Sequence, residues 1–274
     1  MALPAPAPDR TALVTGASSG IGAELARELA GRGHGVALVA RREDRLADLA
    51  GELAAAGVRA EVLATDLADR DARAALPGRV EALGLEVDIL VNNAGLSTFG
   101  AVASSDPAAE LQMIEVDVAA VADLTSRFLP AMVKRRRGSV LNVASTAAFQ
   151  PLPGQAGYAA GKAFVLSYTR SLGGELRGTG VGATALCPGP VKTEFGAAAG
   201  IGDDEAEAPL PAVMWESAEA VARCGIDALE RGEAVAIPGA ANRVLAMGAH
   251  LAPKGPLVRL IARRHPGLHR DTSS

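Results

Sequence analysis

Short apolar runs alternate with amphipathic stretches along the chain, and this alternation predicts the architecture. Residues 12–14 (ALV) are too few for a helix and are stopped at Gly16, so they read as a buried strand. Ile21, Leu25 and Leu29 then recur at a spacing of four, which lines one face of a helix that Ser18 or Ser19 can cap and that Gly31 and Gly33 end. The alternation continues with a strand at 36–40 (VALVA), a helix at 44–56, a strand at 60–64, a further helical segment and a strand at 87–91. Asp106-Pro107 opens the next helix, with Leu111, Ile114, Val118, Val121 and Leu124 on its apolar side, and a strand at 139–144 comes after it. A helix at 217–230 and a strand at 234–237 close the pattern. Strands separated by helix-length segments predict an α/β fold, a doubly wound parallel sheet of about seven strands with helices on both faces.

With 274 residues, 49% of them apolar, the chain is long enough for one large domain. Residues 1–9 are expected to form a flexible tail, 10–239 the sheet domain and 240–274 an amphipathic extension. In that extension Val244, Leu245 and Leu251, then Leu257, Leu260 and Ile261 beside Arg259, Arg263 and Arg264, suggest two short helices around Pro253. They could cover the active site, join subunits or touch a membrane surface; packing against the protein is the plainer expectation. A net charge of −4 gives no general attraction to nucleic acid, and no such partner is expected. The run Lys134 to Arg137 reads as a solvated helix end that complements the macrodipole. Cys187 and Cys224 give neither a disulfide framework nor metal-ligand spacing, which fits a reduced, cytoplasmic setting without a metal. No apolar segment is long enough to cross a bilayer, so no stable membrane insertion is expected.

The candidate chemistry begins in the first turn. Gly16, Gly20 and Gly22 allow a tight turn and close approach of a ligand, while the open helix N-terminus at Ser18, Ser19, Gly20 and Ile21 presents N–H groups to a pyrophosphate. This is a dinucleotide site. Residues 16–20 also fit G-x-S-x-G, the elbow of serine hydrolases, but that elbow comes after several strands and here only one can precede it. The second strand ends on Arg41 and Arg42, which can pair with a 2'-phosphate, so NADP(H) is favoured and NAD(H) remains possible. Asp66 with Leu67 can meet the adenine, and Asn92, Ala94 and Gly95 leave room for a ribose.

TGASSGIG at 15–22, NNAG at 92–95, Ser145 and YAAGK at 158–162, in this order and on these elements, resemble the short-chain dehydrogenase/reductase family over roughly residues 10–239. The resemblance implies a Rossmann-fold oxidoreductase that passes a hydride between a nicotinamide and a carbonyl or alcohol, with a homodimer or homotetramer as the expected assembly. CPGPVKT at 187–193 is similar to the family's cofactor-clamping loop, with Pro188, Gly189, Val191 and Thr193 on the nicotinamide side. Tyrosine at its ordinary pKa near 10 is a poor base at neutral pH. Lys162, one helical turn from Tyr158, is expected to favour the phenolate and hold the ribose, and Ser145 to orient the substrate oxygen. Where the family carries an asparagine that holds a water beside the lysine, this chain has Asp117, expected to keep that relay and to shift the pH profile. Residues 194–216 are read as a mobile lid. Leu96, Phe149, Leu152, Phe195, Met214 and Trp215 are read as an apolar cleft suited to a hydrophobic ketone or secondary alcohol.

Overall fold

The computed structural model describes residues 3–195 and 211–268. Seven strands form one parallel sheet: β1 (Arg10–Thr15), β2 (Gly35–Val39), β3 (Ala60–Val62), β4 (Glu86–Asn92), β5 (Gly138–Val143), β6 (Val181–Leu186) and β7 (Val235–Ala236). Their spatial order is β3-β2-β1-β4-β5-β6-β7, so the winding reverses between β1 and β4. That reversal opens a crevice at the carboxyl ends of the strands. Each apolar run seen in the sequence is a strand, shifted by a residue or two at its ends. β3 is shorter than expected, although Leu63 and Thr65 still donate to the Leu38 and Ala40 carbonyls at 2.9 and 2.8 Å.

Helices cover both faces, as right-handed crossovers between parallel strands require. On one side α1 (Gly20–Gly31), α2 (Glu43–Ala55) and α7 (Ala218–Arg231) bury Leu25, Leu29, Leu46 and Ile226 against Ala12, Val14 and Leu38. On the other, α3 (Arg70–Ala82), α5 (Ala120–Arg135) and α6 (Ala156–Glu175) bury Leu76, Leu124 and Leu172 against Leu13, Leu90 and Val140. Ser19 stands at the N-cap of α1 without a capping side-chain bond, whereas Ser217 caps α7 through the Ala220 N–H at 3.1 Å.

The helix opened by Pro107 differs from its expected form. α4 (Pro107–Ile114) runs into a π turn at Glu115–Ala119 before α5 continues. One extra residue in a turn rotates everything upstream by about 100° relative to the helix downstream. Leu111 and Ile114 are therefore 63% and 44% exposed instead of sharing the buried face of Val121 and Leu124. The Lys134–Arg137 run is also no simple solvated end. Arg135 and Arg137 reach the buried Asp88 at 3.3 and 2.7 Å, joined by Arg10 at 3.5 Å. These ion pairs tie the end of α5 to the starts of β1 and β4.

A polar chain crosses the apolar interior. The Thr125 hydroxyl accepts from the Asn92 amide at 3.2 Å, which also donates to the Asn142 side-chain oxygen at 2.9 Å. Asn142 donates in turn to the Thr169 hydroxyl at 2.9 Å. It links α5, β4, β5 and α6 through buried side chains, each making at least one hydrogen bond, although the Asn92 side-chain oxygen has no partner among the described residues. Beyond β7, α8 (Ala240–Leu251) and α9 (Lys254–Arg264) flank Pro253 as two short helices, as expected. A short turn at Pro266–Leu268 then returns to the mouth of the crevice. Among the described residues no helix is long and apolar enough to cross a membrane.

Candidate active site

A cleft of about 660 Å³ lies over the switch point, within the range of small-molecule and cofactor sites. Its floor is the turn between β1 and α1. Gly16 (φ +67°) and Gly20 (φ +55°) adopt a backbone that side chains strain to reach. A Cβ on Gly22 would stand 2.2 Å from the Gly16 carbonyl oxygen, so the turn closes only without side chains. Thr15 fastens this turn to the end of β4, because its hydroxyl accepts from the Asn93 and Ala94 N–H groups at 2.9 and 3.1 Å. Asn93 donates to the Thr15 carbonyl at 2.9 Å. The result is a bare backbone cradle at a helix N-terminus, shaped for a dinucleotide pyrophosphate.

Arg41 and Arg42 come after β2 on the cleft wall. Arg42 lies across the glycine turn, donating to Ser18 Oγ at 3.0 Å, Ser19 Oγ at 2.8 Å and Glu194 at 2.7 Å. That places a guanidinium beside the two serines and holds the described start of the lid segment. It also disposes of the hydrolase elbow: Ser18 is partnered by a cation rather than by a base able to take its proton. Asp66 and Leu67 line the same end, and Ala94, Gly95, Pro188, Gly189, Val191 and Thr193 line the middle. A Cβ on Gly95 would lie 3.1 Å from Lys162 Nζ, so glycine there keeps space beside the ammonium.

Ser145 closes β5 and caps a short 3-10 turn, its hydroxyl accepting from the Ala147 N–H at 3.1 Å. Tyr158 and Lys162 sit one turn apart on α6, with Nζ 5.6 Å from the Tyr158 ring centre. Burial pushes the Tyr158 phenol above its ordinary value, while Lys162 and the Ser145 hydroxyl pull it down and Asp117 pushes it up. Lys162 acts on the phenol in the expected downward direction, and burial outweighs it. Lys162 is buried and donates to the Val143 carbonyl at 3.3 Å. Burial alone would lower its pKa, but Asp117 holds it above the ordinary lysine range.

Asp117 lies in the π turn, 1% exposed. One carboxylate oxygen accepts from the Leu96 N–H at 2.7 Å, and the other meets Lys162 Nζ at 3.0 Å. The contact with Lys162 is a direct ion pair. Burial raises the Asp117 pKa, opposed by Lys162 and the Leu96 N–H.

Two other expectations change. Asn92 does not line the cleft; the pleat turns its side chain inward to Asn142 and Thr125, and Asn93 lines the cleft instead. Phe149 is 8% exposed in a core cluster with Val165 and Ala185, away from the cleft. Of the lid, residues 196–210 lie outside the described residues. Leu96, Leu152, Phe195, Met214 and Trp215 line the cleft as expected, joined by Phe99, Gln155 and Pro266. Gln155 donates to Ser97 Oγ at 2.9 Å, and the Phe99 and His265 rings lie 5.0 Å apart. No periodicity marks these residues, since each reaches the cleft from a loop or from the far C-terminal turn.

A parallel sheet with a glycine cradle at its switch point, and a tyrosine, lysine and serine on the opposite wall, defines a dinucleotide-dependent oxidoreductase. Residues 10–204 match the short chain dehydrogenase profile. A short chain dehydrogenase of Pseudocercospora fijiensis is 42% identical over 204 residues, 71% of this chain and 66% of that protein. An oxidoreductase of Myxococcus xanthus is 39% identical over 82% of this chain and 85% of its own length. A short-chain dehydrogenase from Sphingobium yanoikuyae, solved in complex with NADPH, superposes with a TM-score of 0.77 at 34% identity, covering 87% of this chain and 92% of that one. A bulky-bulky ketone specific alcohol dehydrogenase from Comamonas testosteroni gives a TM-score of 0.72 at 30% identity, over 83% and 85%. The chain belongs to the short-chain dehydrogenase/reductase family and is an NAD(P)-dependent oxidoreductase.

Proposed function

We propose that the protein reduces hydrophobic ketones, or oxidises the matching secondary alcohols, with NADP(H). Support for the cofactor comes from Arg41 and Arg42 on the cleft wall and from the NADPH complex of the Sphingobium relative. Support for the substrate class comes from the apolar wall of Leu96, Leu152, Phe195, Met214 and Trp215 and from the ketone-specific Comamonas relative. Gly16, Ser18, Ser19, Gly20, Ile21 and Gly22 would hold the pyrophosphate, Arg41 and Arg42 the 2'-phosphate, and Asp66 and Leu67 the adenine. Ala94, Gly95, Lys162, Pro188, Gly189, Val191 and Thr193 would enclose the ribose and nicotinamide. When bound, that group supplies or accepts the hydride.

The chain itself handles the proton. Ser145 orients the substrate oxygen toward Tyr158, and Tyr158 gives its phenolic proton to the oxygen in reduction or takes it in oxidation. Lys162 steadies the phenolate, and Asp117 keeps Lys162 charged in a site where burial would strip its proton. The observation that carries this reading is that Ser145, Tyr158 and Lys162 line one cleft beside the glycine cradle, with the Lys162–Asp117 pair behind them. Residues 10–239 form the catalytic body in this reading and 240–274 an appended segment. Leu111 and Ile114, exposed on α4, offer an apolar face to a second copy, consistent with a homodimer or tetramer acting in the cytoplasm.

A panel of apolar ketones and secondary alcohols, assayed with NADPH, NADH and their oxidised forms, tests the proposal. Turnover with NADPH on at least one bulky ketone is expected, together with a drop of about 100-fold or more in Tyr158→Phe at unchanged NADPH affinity. A Tyr158→Phe protein as active as the parent would refute the assignment of the proton donor.

A further inference from the structure

The last two helices carry a pattern of charge and polarity unlike the rest of the chain. Residues 240–268 hold five of the 27 lysines and arginines and none of the 31 aspartates and glutamates, on a protein of net charge −4. α8 is inverted: Asn242 and Ala246 face the body, while Val244, Met247 and Leu251 are 71%, 58% and 80% exposed. Residues spaced i, i+3 and i+7 share one helix face, and an apolar stripe at that spacing ordinarily faces a core. Val213, 71% exposed, extends the stripe from the short turn that packs against α8. Arg243, Arg259 and Arg264 are exposed and form no ion pair among the described residues.

We propose that this face docks the protein on an anionic lipid surface, the α8 stripe seated among the acyl chains and the arginines on the headgroups. Large aliphatic and thioether side chains beside unpaired cations are what an interfacial helix requires. A second copy fits less well, because a two-fold contact sets a patch against itself and would bring these arginines together with no acid to meet them. A protein partner fits less well too, since the stripe has none of the aromatic anchors that interface cores favour. Met214, beside Val213, and Pro266, just beyond α9, both line the cleft, so a lipophilic substrate would pass from the bilayer to the site over a short distance. The docking does not depend on the reaction assigned above, and its test reads binding alone.

The full-length protein is floated with vesicles of phosphatidylcholine, and with vesicles that also contain phosphatidylglycerol. Flotation with the anionic vesicles only, reversed by salt, is expected. Replacing Arg259→Gln with Arg264→Gln should weaken binding about 25-fold, about fivefold for each charge. Replacing Val244→Ser with Leu251→Ser should weaken it about tenfold or more, with turnover of a water-soluble ketone unchanged. Four results overturn the proposal. The protein could stay out of both vesicle fractions, or float equally on both. The Val244/Leu251 variant could change oligomer size in light scattering, which gives the face to a second copy. A stoichiometric acidic protein, released by the arginine variant and retained without vesicle binding, would give it to a protein partner.

Discussion

Replacing Asp117→Asn keeps the shape of the side chain and removes one buried negative charge from beside the catalytic pair. The amide oxygen of the variant can still accept from the Leu96 N–H, which lies 2.7 Å from the carboxylate in the parent, so the π turn retains its anchor. Lys162 Nζ lies 3.0 Å from the carboxylate and 5.6 Å from the Tyr158 ring centre, so the carboxylate stands within about 9 Å of that ring. At that distance or closer, with an effective dielectric near 20, a unit charge is worth about 2 kcal/mol or more, enough to move the balance between phenol and phenolate. The sign comes from Asp117 pushing the phenol up: without it the phenolate forms at lower pH. The acid limb of alcohol oxidation, which needs the phenolate, should therefore move to lower pH. The alkaline limb of ketone reduction, which needs the phenol, should move the same way. The assay is kcat/KM against pH in both directions for the variant and its parent. Superimposable profiles would show that Asp117 carries no charge felt by Tyr158. An upward shift would refute the sign, and would mean that the carboxylate acts mainly by keeping Lys162 protonated.

Three further outcomes are expected. Arg41→Ala and Arg42→Ala should each raise KM for NADPH about tenfold or more while changing KM for NADH less than about threefold, a loss of one charge-assisted phosphate contact; equal losses for both cofactors would remove these arginines from phosphate recognition. Cys187 is fully buried with its thiol pushed up to about 12, and Cys224 is half-buried with its thiol also raised, so thiol titration of the native enzyme at pH 8 should find at most one slow group against two after denaturation. Two fast native thiols would contradict the packing of β6. Gly22→Ala sets a Cβ against the Gly16 carbonyl, and should abolish the thermal stabilisation that NADPH gives the parent while lowering Tm in its absence.

Most of the architecture was legible because the strands are short apolar runs closed by glycine or polar residues, a signal that survives without tertiary context. The strand-end residues Ser145, Arg41 and Asp66 could be placed for the same reason, since a strand's carboxyl end is where the crevice must lie. The features that stayed hidden depend on long-range geometry. The π turn at Glu115–Ala119 has no local signature, yet it turns Leu111 and Ile114 outward and brings Asp117 into direct contact with Lys162. Asn92 and Asn93 are adjacent letters, and only the pleat decides which faces the cleft. Phe149 resembled a cleft residue by its place near Ser145, but the 3-10 turn after Ser145 carries it into the core. Phe99, Gln155 and Pro266 come from three separate loops, so no spacing could have joined them.

The buried chain from Thr125 through Asn92 and Asn142 to Thr169 bears on a problem peculiar to parallel sheets. Central strands here are apolar on both faces, so a slip of one residue would hide as much oil as the true alignment. The amides lift that degeneracy, because any slip strands a donor in the dry interior at a cost of roughly 1–3 kcal/mol for each group. The helices pinned at its two ends are the one that bears Tyr158 and the one that continues from the turn of Asp117, so the same alignment sets how far apart the proton donor's helix and the acid's turn can stand. A valine in place of Asn142 would keep the sheet greasy and still blur that spacing, losing rate before it lost the fold.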